Sequence, residues 1–128
     1  MTIIDHCTKY LTYLQAKYPV PCDVTLEFPE KVIKVKGRIP PKEEDGALIT
    51  MNKIDGYARI AIYQKSLVSI RQALDTLGHE YKHILQYFVE NPDCKATGFW
   101  DDPVIELDAE IFGRLRASFY CEEQGLPL

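Results

Sequence analysis

The stretch His79-Glu80-Tyr81-Lys82-His83 constrains this chain more than any other, because its chemistry requires a helix. Residues four apart share a helical face, so two imidazoles at i and i+4 can grip one metal ion. The chain has three histidines in 128 residues, and two of them fall in this pattern. The flanking sequence supplies the helix. Ser69 and Gln72 form an S-x-x-Q start signal, and Ile70, Ala73, Leu74, Leu77, Tyr81, Ile84, Leu85 and Phe88 recur as an apolar stripe. Asn91-Pro92 ends it. His79 and His83 lie beside the stripe, at the border between core and cleft. A ligand pair needs that border, held rigidly yet open to solvent.

A catalytic zinc takes three protein ligands and keeps a fourth position for water. A third histidine at the H-E-x-x-H-x-x-G-x-x-H spacing is excluded, because Gln86 and Val89 stand where the glycine and histidine belong. The remaining histidine, His6, is in the first helix. A carboxylate from the following helix is the better third ligand. Asp102 caps that helix and Pro103 takes its first position. Val104, Ile105, Leu107, Ala109, Ile111, Phe112, Leu115 and Phe119 make it apolar on most sides, so burial is expected. Yet it carries Glu106, Asp108 and Glu110, and buried acids need partners. Glu106 and Glu110 repel at i, i+4. A divalent cation beside Glu106 removes that penalty, and Glu110 can then accept a hydrogen bond from the free ring N–H of a metal-bound histidine. The alternative is an i, i+4 pair between Glu110 and Arg114 on a solvated stripe.

The two motifs together resemble those of the gluzincin metallopeptidases. After H-E-x-x-H comes Glu106-Leu107-Asp108-Ala109-Glu110-Ile111-Phe112-Gly113, similar to E-x-x-A-[DEN]-x-F-[AG]. That pair occurs in the small ImmA/IrrE-like peptidases, the minigluzincins and the CAAX-prenyl peptidases. The absence of a membrane-spanning run sets the last group aside. The resemblance covers about residues 57 to 117. It implies a zincin-like fold and Zn2+ held by His79, His83 and Glu106, with Glu110 as an outer polar residue. The chain departs from the pattern at Glu110, where Asp or Asn is commoner, and at Gly113, where Ala is usual.

The expected reaction is hydrolysis of a peptide bond. Glu80 is assigned the proton transfers, from the attacking water and then to the leaving amine. Tyr87, Arg114 and Tyr120 are candidate donors to the oxyanion. The substrate is a protein or peptide, expected to lie extended along an edge strand at Tyr57 to Tyr63. The resemblance points to a specific cytoplasmic protein, such as a transcriptional regulator. The competing reading is a metal-binding scaffold with little or no catalysis, acting through protein–protein contacts.

Composition excludes other classes. A net charge of −4 and a pI near 5.3 argue against a general nucleic-acid or anionic-membrane binder. Lys31, Lys34, Lys36 and Arg38 read as a solvated strand face. Asp5 and His6 interrupt the segment where an export signal would be apolar. Cys7, Cys22, Cys94 and Cys121 lack C-x-x-C spacing and read as free, mostly core thiols, which fits a cytoplasmic protein. Oligomeric state stays open.

The expected architecture is α+β, one domain over 1–128. A first helix over residues 2–18 ends at Pro19 and Pro21. Strands follow at Val24–Phe28, Ile33–Ile39, Ala47–Met51 and Tyr57–Tyr63, with a hairpin turn at Asp55-Gly56. This small twisted sheet of three or four strands precedes the histidine helix and the buried helix with the third ligand.

Overall fold

The computed structural model describes residues 1–31, 46–93 and 102–127. Among them the chain is α+β, with three α-helices and a three-stranded mixed sheet. The first helix, α1, spans Ile3–Lys17. Thr2 caps it reciprocally with Asp5, a capping box that satisfies two backbone donors. Strand β1 is Asp23–Glu27, β2 is Ala47–Asn52 and β3 is Tyr57–Ile62. The expected strand at Ile33–Ile39 lies outside the described residues, as does Cys94.

The Asp55-Gly56 turn forms where the dipeptide predicts it. Gly56 takes φ 67°, a left-handed conformation that costs glycine least, and Asn52 Oδ1 accepts the amides of Ile54 and Asp55. The turn pairs β2 antiparallel with β3, from Ala47 opposite Ile62 to Asn52 opposite Tyr57. β1 runs parallel to β3 on its other side, from Asp23 opposite Tyr57 to Glu27 opposite Ala61. The strand order is therefore β1-β3-β2. This corrects the expectation for Tyr57–Tyr63: that strand is central, with a neighbour on each edge. Its burial agrees, since Ala58, Ile60, Ala61 and Ile62 are all buried. Among the described residues the strand with an open edge beside the histidine helix is β2.

Helix α2, Ile70–Leu85, is the centre of the molecule. Ser69 Oγ accepts the amide of Gln72 at 3.2 Å and starts it as the capping signal predicts. Its apolar stripe packs on the sheet and on α1, burying Leu74, Leu77, Tyr81 and Ile84 with Tyr10, Leu14 and Ile60. The hydroxyl of Tyr81, inside the H-E-x-x-H stretch, donates to the carbonyl of Tyr18 at the end of α1. One wide π-helical turn, Gln86–Glu90, continues α2, and the Asn91 amide closes it on the Gln86 carbonyl at 2.8 Å.

The last helix, α3, spans Pro103–Gln124, with Asp102 accepting the Val104 amide at 2.9 Å and Gly125 closing it at φ 67°. Its contact with α2 is the most extensive between any two helices. The expectation that α3 is a buried helix, apolar on most sides, holds for one face only. The face on α2 is made of Ala109, Gly113 and Ala117, joined by Tyr120 and Cys121. The large apolar residues Val104, Leu107, Ile111, Leu115 and Phe119 are exposed. Small residues win the inner face because they let the backbones approach. A Cβ built on Gly113 would come 2.7 Å from the Asp75 carbonyl and 2.8 Å from the His79 amide nitrogen, and one on Gly78 would come 3.0 Å from Gly113 Cα. Glycine at 113 is thus what brings α3 against the backbone of His79.

Candidate metal centre

α2 presents His79 and His83 one turn apart on the side facing α3. Their rings meet edge to face, with centroids 4.9 Å apart. α3 answers from its first turn with Glu106. Its Oε1 lies 2.8 Å from His79 Nε2 and its Oε2 lies 3.1 Å from His83 Nε2. The ligand atoms of His79, His83 and Glu106 all fall within 4.8 Å of one another. The three residues assigned as ligands from sequence are therefore brought together. His6, on α1, is not in that group.

His83 is buried, and its other ring nitrogen faces Gln86, whose Oε1 lies 2.8 Å from Nδ1. Gln86 is itself buried, and its Nε2 reaches the Ile105 carbonyl at 2.9 Å and Asp108 Oδ2 at 3.3 Å. Both of those partners only accept, so the amide nitrogen must face them and the amide oxygen must face His83. Nδ1 of His83 therefore carries the hydrogen. Burial is the largest influence on His83 and holds its pKa below the ordinary 6.5, with the charge of His79 acting in the same sense. Hydrogen bonds to Gln86 and Glu106 oppose this. With Nδ1 turned to Gln86, Nε2 is the nitrogen of His83 that faces Glu106, 3.1 Å from its Oε2. Two imidazole nitrogens and a carboxylate oxygen brought this close are a donor set that fits a metal ion.

Gln86 did not emerge from sequence as a site residue. In the sequence it is only a lone amide three residues after His83, and the π turn it starts, of a kind frequent at functional sites, is seen in the structure alone.

A cleft of about 400 Å³ opens beside the histidines, with Ala47, Asp75, Thr76, His79, Glu80, Glu110 and Arg114 on its walls. Glu80 thus shares one cavity with His79. Glu110 reaches the same wall, but its Oε1 pairs with Arg114 at 2.6 Å, the i, i+4 alternative, while Gln86 takes the His83 ring nitrogen. Of the three donors considered, Arg114 lines the cleft. Tyr120 is buried against Tyr10 and Tyr13, and Lys53 lies over the Tyr87 ring. Arg71 ties the two helices behind the cleft, with Nε 2.8 Å from Asp75 and a second nitrogen donating to the Arg114 carbonyl at 3.1 Å.

Cys7 and Cys121 are buried free thiols and Cys22 is half-buried. Burial pushes the Cys7 thiol up to about 12, which fits a core residue and not a ligand. Among the described residues no helix is long and apolar enough to cross a membrane. No protein-family model, curated protein or solved structure matches the chain.

Proposed function

We propose that this chain is a zinc-dependent endopeptidase of zincin type, cleaving a peptide bond in a specific protein. One observation carries the reading: Nε2 of His83 and Nε2 of His79 converge on Glu106 at the edge of a cleft that also holds Glu80. Two nitrogens and a carboxylate suit zinc, and three protein ligands leave a position for water. Zinc held there supplies Lewis acidity and lowers the pKa of water.

The rest of the chemistry falls to the chain. Glu80 takes the proton of the attacking water and passes it to the leaving amine, since a carboxylate beside the cleft can serve as base and then acid. Arg114, on the opposite helix, can donate to the developing oxyanion. Gln86 keeps the metal-facing nitrogen of His83 free of a proton. An extended peptide fits along β2, whose Ala47 borders the cleft, with main-chain hydrogen bonds supplying affinity.

The test is metal analysis with proteolysis. Purified protein should hold one zinc per chain. Zinc-loaded protein should cleave a limited set of targets in a peptide library or host lysate, and Glu80→Gln should not. Stoichiometric zinc with no Glu80-dependent cleavage would leave the scaffold reading standing. Absence of zinc after reconstitution would overturn both.

A further inference from the structure

Three acids stand in the first half of α3. Glu106 joins His79 and His83, and Glu110 pairs with Arg114 on the cleft wall. Asp108 has neither place, and it does not line the cleft. Its side chain is 52% exposed, so water alone would satisfy it. Two donors nevertheless converge on one of its oxygens. Gln86 Nε2 lies 3.3 Å from Oδ2, and Lys82 Nζ lies 3.7 Å from the same atom. Lys82 directly precedes His83 and is itself held in place. Its side chain is only 14% exposed, and its ammonium lies 2.5 Å from Glu90 Oε2 and over the Phe112 ring.

We infer that Asp108 is a positioning residue of the metal centre. Its carboxylate fixes the Gln86 amide, and through that amide it aligns His83 with Glu106. The inference rests on the reading of His79, His83 and Glu106 as zinc ligands.

The geometry of Gln86 carries the argument. Its amide oxygen meets His83 Nδ1, while its amide nitrogen meets the Ile105 carbonyl at 2.9 Å and Asp108 Oδ2. Ile105 and Asp108 stand at i and i+3 on one face of α3, and in sequence they bracket Glu106. One planar group therefore ties the second histidine to the turn of α3 that carries the carboxylate. Two contacts on the nitrogen side stop the amide from swinging about either one. Without Asp108 a single contact to α3 remains. Gln86 is buried, so the hydrogen released is left without a partner, at the cost of an unsatisfied donor. The amide then turns or shifts to recover one, and His83 loses its support.

The experiment is a zinc titration against a chromophoric chelator, with wild type, Asp108→Ala, Asp108→Asn, Gln86→Leu and the double variant Asp108→Ala/Gln86→Leu. Asp108→Ala should weaken zinc binding by about 10-fold, the lower end of the effect of outer partners. Asp108→Asn keeps an oxygen to accept from Gln86, so its affinity should lie closer to wild type than to Asp108→Ala. In the Gln86→Leu background, Asp108→Ala should add less than about twofold, because residues that act through one network are not additive. Metal-free Asp108→Ala should stay folded, as its half-exposed side chain implies. Loss of fold there would make the residue structural and overturn the inference. Equal losses in the Asn and Ala variants would assign the effect to charge alone and also overturn it, as would full additivity with Gln86→Leu. A wild-type chain that takes no zinc defeats the metal reading and this role with it. A wild-type chain that takes zinc while Asp108→Ala titrates identically defeats this role alone.

Discussion

Nδ1 of His83 and Oε1 of Gln86 lie 2.8 Å apart, and that contact decides which nitrogen of the histidine is left to face Glu106. The amide cannot turn over without setting its oxygen against the Ile105 carbonyl and the Asp108 carboxylate. A neutral residue in the wide turn after α2 thereby governs which nitrogen of a histidine in α2 is presented to the carboxylate.

Replacing Gln86 by leucine should weaken zinc binding by about 10- to 100-fold, the usual cost of losing the partner that orients a ligating histidine. The measurement is a competition titration with a chromophoric chelator. Glu110→Ala should change affinity less than Gln86→Leu, since Glu110 is engaged with Arg114. The reverse order would restore Glu110 as the histidine's support.

Glu106→Ala should abolish stoichiometric zinc while the protein stays folded, because its carboxylate bridges both imidazoles from an otherwise half-exposed side chain. Wild-type protein should melt at a higher temperature with zinc than after chelation, by mass action on the folded state. An equal rise in the Ala variant would place the metal elsewhere.

Glu80→Gln should retain zinc and fold and lose cleavage by at least 10²-fold, the scale of a general acid–base contribution. Turnover near wild type would remove Glu80 from the chemistry. Zinc loss in the variant would make it a structural residue.

The metal-free protein should lose stability on acidification. Burial holds folded His83 below 6.5, while the unfolded imidazole titrates near 6.5. In the interval below 6.5 the unfolded state binds more protons, so stability falls as pH falls. The contribution is complete above 6.5 and is lost as pH drops through the folded pKa. Thermal melts against pH should show the slope, and His83→Asn should flatten it. An unchanged slope in the variant would assign the effect to other groups.

Gly113→Ala should destabilise the protein by about 1–3 kcal/mol, the range for overpacking a tight contact. The backbone atoms its Cβ would meet belong to Asp75 and His79 and have little freedom to yield. Chemical denaturation measures it. A cost near zero would mean that α3 can shift without consequence.

Much of the site could be read from the chain because its parts are local. The i, i+4 histidines, the Ser69 and Asp102 caps and Pro103 each act within one turn, and all stand where the spacing predicts. Glu106 was singled out by electrostatics, as an acid on an apolar helix in need of a partner. What resisted was non-local. That Tyr57–Ile62 is central depends on β1 arriving from a distant segment to pair in parallel. The apolar pattern of α3 could not tell its two faces apart, because closest approach favours Ala109, Gly113 and Ala117 over larger neighbours, and only the partner helix makes that choice. Gln86 was hidden by its ordinariness, since an amide in a helix advertises nothing until its three partners are assembled.

The contact at Gly113 has a mechanical consequence for Glu106. Seven residues of helix separate the two, about 10 Å along the axis. Gly113 is the fulcrum where α3 touches α2 backbone to backbone, and Glu106 rides the end of the arm. Wedging the fulcrum so that the arm tilts by about 3° sweeps the carboxylate roughly 0.5 Å from the imidazoles, the full tolerance of a preorganised site. The aim of Glu106 at the two imidazoles is therefore set two turns away, by a missing methyl group.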